Sequence, residues 1–145
     1  MSRTTARYSI LLLTSFAVLW GCQTASNPDA VRQTNEFGDR YVATLEQAAV
    51  ALEKVDSPDA IEPTVEILEQ VISELNRLSA EAKTLPRISR SEMREFEQRI
   101  GQEIQRIQKR LMSAANQAAL ASGKDKKLGE TVIRLDQTVQ KFGQS

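Results

Sequence analysis

The sequence predicts an all-α fold, an antiparallel bundle of three long helices and one shorter C-terminal helix. Three observations carry that prediction. Apolar residues recur three and four positions apart through most of residues 28–142, the spacing that puts them on one face of a helix. Residues suited to helix ends separate these runs: Asn27-Pro28, Ser57-Pro58, Pro86, Ser89 with Glu92, and Gly123. No stretch of useful length alternates apolar and polar residues as a half-buried strand would. Short connections favour an up-down-up-down order.

The first helix is expected over about residues 28–55. Asn27 caps it, and Pro28 suits the first helical position, where no amide donor is needed. Its apolar face reads Phe37, Tyr41, Leu45, Ala48, Leu52 and Val55, and Gly38 weakens it locally. The second helix, about 58–84, opens on Ser57-Pro58-Asp59-Ala60, which parallels Asn27-Pro28-Asp29-Ala30. Two readings of the parallel stay open, a duplicated unit of about 30 residues or the same capping chemistry used twice. Pro63 forfeits a backbone bond and crowds the preceding turn, so a kink or a separate first turn is expected there. Ile61, Val65, Leu68, Ile72, Leu75 and Ala82 form the stripe, flanked by Thr64, Val71, Leu78 and Leu85. That stripe is wider than the two-position seam of a dimeric coiled coil and suits a globular bundle.

Ser89 and Glu92 have the spacing of a capping box and open a third helix over about 90–122. Its stripe runs Met93, Phe96, Ile100, Ile104, Ile107, Leu111, Ala114, Ala118 and Ala121. The change to alanine lets a neighbouring helix approach closely. Gly123 suits the C-terminal cap after Ser122. Leu128, Val132, Leu135, Val139 and Phe142 carry the last helix, about 125–142.

Composition narrows the function. The 145 residues hold 19 Lys+Arg and 19 Asp+Glu, no histidine and one cysteine. Net neutrality argues against a nucleic-acid partner, and the missing histidine removes the commonest metal ligand and general base. The neutrality is a cancellation: residues 27–83 carry twelve acids against five bases, and residues 84–145 seven against twelve. The acidic surface of the first two helices is therefore expected beside the basic surface of the third.

The N-terminal segment is the most specific feature. Arg3 and Arg7 precede an uncharged, mostly apolar run from Tyr8 to Trp20, the layout of a secretory signal peptide. At about 13 residues this run is shorter than the roughly 20 that a membrane-spanning helix needs. It ends in Leu19-Trp20-Gly21-Cys22, which resembles the lipobox of bacterial lipoproteins, although Trp20 stands where small residues are usual. An ordinary signal peptide would need a small-x-small site, and cleavage after Ala25 places Gln23 in the first small position, a poor fit. The resemblance implies S-diacylglyceryl transfer to Cys22, cleavage between Gly21 and Cys22, and N-acylation of the new terminus. Two or three acyl chains would make membrane attachment effectively permanent. Gln23, rather than aspartate, after the cysteine implies the outer membrane, facing the periplasm, in a Gram-negative host. Residues 1–21 are then the signal peptide, 22–27 the lipidated cysteine with a flexible tether, and 28–142 the helical bundle.

Three function classes follow. An enzyme is not expected: there is no glycine-rich phosphate loop and no nucleophile elbow. Glu62, Glu66 and Glu69 share one helix face, which reads as solvated surface rather than a metal site, and no cofactor beyond the covalent lipid is expected. Membrane-surface or polyanion contact is a second class, with Arg106, Lys109, Arg110, Lys124, Lys126 and Lys127 as the basic contact patch. The preferred class is a tethered, non-enzymatic helical module that binds another envelope protein or assists envelope assembly. Small helical lipoproteins that escort secretion pores are a fold-level analogy. The last helix is the expected mobile element, its displacement exposing the apolar stripe over residues 104–111.

Overall fold

A computed structural model describes residues 27–142; Gly21 and Cys22 lie outside the described residues. It contains α1 (Pro28–Glu53), a 3-10 turn (Pro58–Ala60), α2 (Ile61–Ala82), α3 (Arg90–Ala121) and α4 (Lys126–Phe142), with no strand among the described residues.

The ends form as their residues dictate. The Asn27 side chain accepts a 3.0 Å bond from the Asp29 amide, with Pro28 behind it in the first turn. Ser57 takes the equivalent place before Pro58 but makes no cap bond, and its hydroxyl donates to Asp56 instead. Pro63 produces a separate 3-10 turn, so that it sits in the first turn of α2, where a missing amide costs nothing. Ser89 and Glu92 close the capping box: Glu92 accepts from the Ser89 amide at 2.8 Å, and its own amide donates back to Ser89 Oγ. After Ser122 the chain turns through Gly123 at φ 65° and Lys124 at φ 63°, and the Lys124 amide bonds back to the Ala119 carbonyl. This is a Schellman-type stop, and the Asp125 carboxylate then caps α4 by accepting from the Leu128 amide.

Pairing across the bundle fixes the directions. Arg40 meets Glu81, and Thr64 donates to the Ala51 carbonyl, so α1 and α2 run antiparallel. Arg99 meets Asp39 while Arg110 meets Glu53, so α3 runs parallel to α1. Lys127 meets Glu62 and Arg134 meets Glu69, so α4 runs parallel to α2. The up-down-up-down order holds, but the neighbours differ from the simple bundle in which each helix packs on the next. α3 packs along α1 and α4 along α2, while α3 and α4 touch only slightly. The α2–α3 connection therefore carries the chain across one end of the bundle.

The core is centred on the α1–α2 hairpin. Leu45, Leu52, Leu68, Val71, Leu75 and Leu78 are fully buried, and Ile107 of α3 joins them. Burial of each such side chain is worth about 1.5–3 kcal/mol. Tyr41 stacks on Phe142 with ring centroids 4.3 Å apart, and Phe37 lies 6.1 Å from the same ring, so the end of α4 reaches into the first half of α1. Burial pushes the Tyr41 phenol well above its ordinary range, leaving a neutral packing residue.

Two expectations need correction. Ala121 is exposed rather than part of the α3 stripe, because the helix turns into its C-terminal stop there. Displacement of α4 would uncover chiefly α2, its main packing partner, since the α3 stripe over residues 104–111 lies on the helix paired with α1.

Candidate functional site

The charge imbalance between the two halves resolves into two ladders. On the α1–α3 side, Arg99 donates to Asp39 at 2.6 Å and to Asn35 at 3.0 Å. Arg110 grips Glu53 with two bonds of 2.5 and 2.7 Å and reaches Glu46 at 3.1 Å, while Arg106 lies between Glu103 and Glu46. On the α2–α4 side, Lys127 donates to both oxygens of Glu62 and Arg134 to both of Glu69. Hydrogen bonding from Arg110 holds the Glu53 carboxyl below its ordinary range, and that to Glu62 raises the Lys127 ammonium. Each exposed pair adds little. Together they favour one pairing and register over others, because a slipped helix would set like charges together.

This arrangement disperses the basic patch read from the sequence. Arg106, Arg110 and Lys127 are spent on acids of neighbouring helices, and Lys126 lies 3.8 Å from Glu130 on its own helix. Lys109 and Lys124 carry no ion pair among the described residues. Lys124, Lys126 and Lys127 sit at the α3–α4 turn, whereas Arg106 and Arg110 lie along the α1 side. Two of the three stacked carboxylates, Glu62 and Glu69, have the structural role of pairing with α4. Among the described residues no cluster of His, Cys, Asp or Glu is placed to hold a metal ion, and no helix is long and apolar enough to cross a membrane.

The opposite end of the bundle has a different character. Here α1 begins, α2 ends, α3 begins and α4 ends. Residues 83–91 contain Lys83, Arg87 and Arg90 and no acid. All three bases are exposed, as is Arg94 one turn into α3, and none of the four makes an ion pair among the described residues. The local acids are engaged: Asp29 and Glu36 by Arg32, Glu81 by Arg40, and Glu92 by Ser89. Glu95 is exposed. Glu97 buries one carboxylate oxygen with no hydrogen-bond partner among the described residues, and this desolvation raises its pKa.

A third feature is apolar. Met112 and Leu120 on α3 and Ile133 on α4 are 61%, 76% and 59% exposed. They belong to the two outer helices, which touch each other only slightly.

Sequence reasoning missed two residue sets. In the sequence Gly38 marks only a weak point of the first helix. It is where α3 approaches α1: a Cβ there would stand 2.6 Å from Phe96 Cε2 and 2.8 Å from Ile100 Cδ1. The available signal was a glycine beside the α1 stripe, where alanine would be worth about 1 kcal/mol more to an isolated helix. The bases at the α2–α3 connection are the second set, and the signal for them is the acid-free run over residues 83–91. Comparison with protein-family models, curated proteins and solved structures gives no match.

Proposed function

We propose that the protein is a membrane-tethered lipoprotein of the bacterial envelope, a non-enzymatic helical module that binds another envelope protein. The observation that carries this reading is Cys22, the sole cysteine, standing at the end of an apolar leader in the lipobox-like Leu19-Trp20-Gly21-Cys22. The four residues between it and the Asn27 cap are polar or small, and the five steps from Cys22 to Asn27 reach about 17 Å at most. S-diacylglyceryl and N-acyl groups on Cys22 would hold the bundle close to the bilayer, with the outer membrane's periplasmic face favoured by Gln23.

Support for a binding role comes from the outer helices. Met112, Leu120 and Ile133 stay exposed on the two outer helices, and large apolar side chains left open there are candidates for contact with a partner. The alternative use of the basic C-terminal half as a contact patch loses support, because most of those bases already face acids.

The test compares wild type with Cys22→Ala by intact-protein mass spectrometry and membrane fractionation. Wild type is expected to carry the mass of the diacylglyceryl and acyl groups and to sediment with membranes, and the variant to lose both. Equal mass and equal membrane association would refute the anchor. Crosslinking in intact envelopes followed by purification is then expected to recover one defined complex, and recovery of the monomer alone would count against the binding role.

A further inference from the structure

The two ends of the bundle differ in how much of their positive charge is free. α1 is 26 residues long, which separates the ends by about 39 Å. At one end, Lys127 is consumed by Glu62 and Lys126 lies near Glu130, so that Lys54 and Lys124 are the bases there without an ion pair among the described residues. At the other, Lys83, Arg87, Arg90 and Arg94 are exposed and lack ion pairs among the described residues, Arg94 feeling only the more distant Glu97, along a connection with no acid between residues 83 and 91. That second end is where α1 begins, and so where the chain leaves the bundle toward Cys22.

We infer that the α2–α3 turn is a headgroup-contacting surface, on which Lys83, Arg87, Arg90 and Arg94 meet anionic phospholipids of the membrane to which Cys22 is attached. The inference rests on the lipid-anchor reading and adds an orientation to it. A tether of at most about 17 Å keeps the α1 start near the bilayer. Electrostatic attraction fades over a Debye length of about 8 Å at physiological salt, so bases at the near end feel the anionic surface and those about 39 Å away do not when the bundle stands on this end. Leu85 and Pro86 are only partly buried between these bases, and Ile88 is buried, so the turn is held by packing while its cations project. The bundle would stand on its anchored end, with the α3–α4 turn outermost.

The test uses the mature lipidated protein in vesicles of phosphatidylcholine alone or mixed with phosphatidylglycerol. A fluorophore is placed at Thr84→Cys near the proposed contact, or at Ala121→Cys at the far end, both exposed positions. Quenching by brominated lipid is read for each. Thr84→Cys is expected to be quenched several-fold more than Ala121→Cys on anionic vesicles. The difference should shrink at high salt, on neutral vesicles, and in a background carrying Lys83→Gln, Arg87→Gln, Arg90→Gln and Arg94→Gln. Equal quenching at the two positions, stronger quenching at Ala121→Cys, or indifference to those four changes would overturn the contact. Flotation with vesicles is scored in the same samples: loss of flotation on both vesicle types refutes the lipid anchor itself, while flotation without the quenching difference refutes only the orientation.

Discussion

The inner hairpin and the outer helix pair of this bundle are built on different principles. In α2, leucine, valine and isoleucine fill the stripe, while α1 sets Phe37, Tyr41 and alanines beside Leu45 and Leu52; six of the seven largest fully buried side chains belong to these two helices. In α3 and α4 fewer residues are buried, and the face of α3 passes from isoleucine to alanine. Cations reach sideways to the acids of the inner pair, and the seam between the two helices is only lightly packed. Large buried side chains thus concentrate in the inner pair, and charge pairing helps to place the outer helices where burial is thinner. The inner pair acts as the scaffold, leaving the outer pair's surface free for interaction.

The strongest way to break this contrast is to truncate one residue of each kind. Leu68→Ala opens a cavity among fully buried neighbours and is expected to cost about 2–5 kcal/mol in denaturant unfolding. Leu120→Ala, at a position 76% exposed, should stay within about 0.5 kcal/mol. Similar losses for the two would remove the distinction.

Gly38→Val probes the contact between the two regions. The added side chain meets Phe96 and Ile100 and is expected to destabilise by about 1–3 kcal/mol, read by thermal unfolding. An unchanged or raised melting temperature would mean that helix propensity outweighs the close approach.

A smaller effect is expected from the ladders. Arg134→Glu places like charge against Glu69, and the double variant Arg134→Glu/Glu69→Arg should recover most of the loss, within the range of about 0–1 kcal/mol typical of exposed pairs. Failure of the swap to rescue would show that the pair does not help set the α2–α4 register.

The smallest effects are pH-linked. Glu53 has its folded pKa lowered by Arg110, so its contribution is present above the ordinary value of 4.5 and is lost as pH falls through the lower folded value. Glu53→Gln should flatten the acid limb of the stability curve. Glu97 has the opposite sign: its raised folded pKa makes the ionised carboxylate a cost that appears as pH rises above 4.5. Glu97→Gln should therefore raise the melting temperature slightly at neutral pH and not at acid pH. An identical pH profile for wild type and both variants would contradict these assignments.

Most of the helical architecture was legible because local chemistry decides it. The Asn27-Pro28 start, the Ser89/Glu92 box and the Gly123 stop act within a few residues, and the apolar spacing identifies one buried face per helix. Neighbour choice was not legible in the same way, since a stripe shows which face is buried and not what covers it. The opposed charges of the two halves predicted contact between them, but the assignment of Arg99 and Arg110 to α1, and of Lys127 and Arg134 to α4's partner α2, depends on three-dimensional register. For the same reason the basic patch looks continuous in sequence, while in space Arg106 and Arg110 face acids of α1 and Lys127 faces an acid of α2.

Native-state amide exchange tests the scaffold-and-surface division most directly. The account predicts that amides of residues 45–52 and 68–78 exchange only through global unfolding, while those of residues 112–121 and 128–142 open at a lower free energy. Protection of α4 equal to that of α2 across residues 128–142 would contradict it.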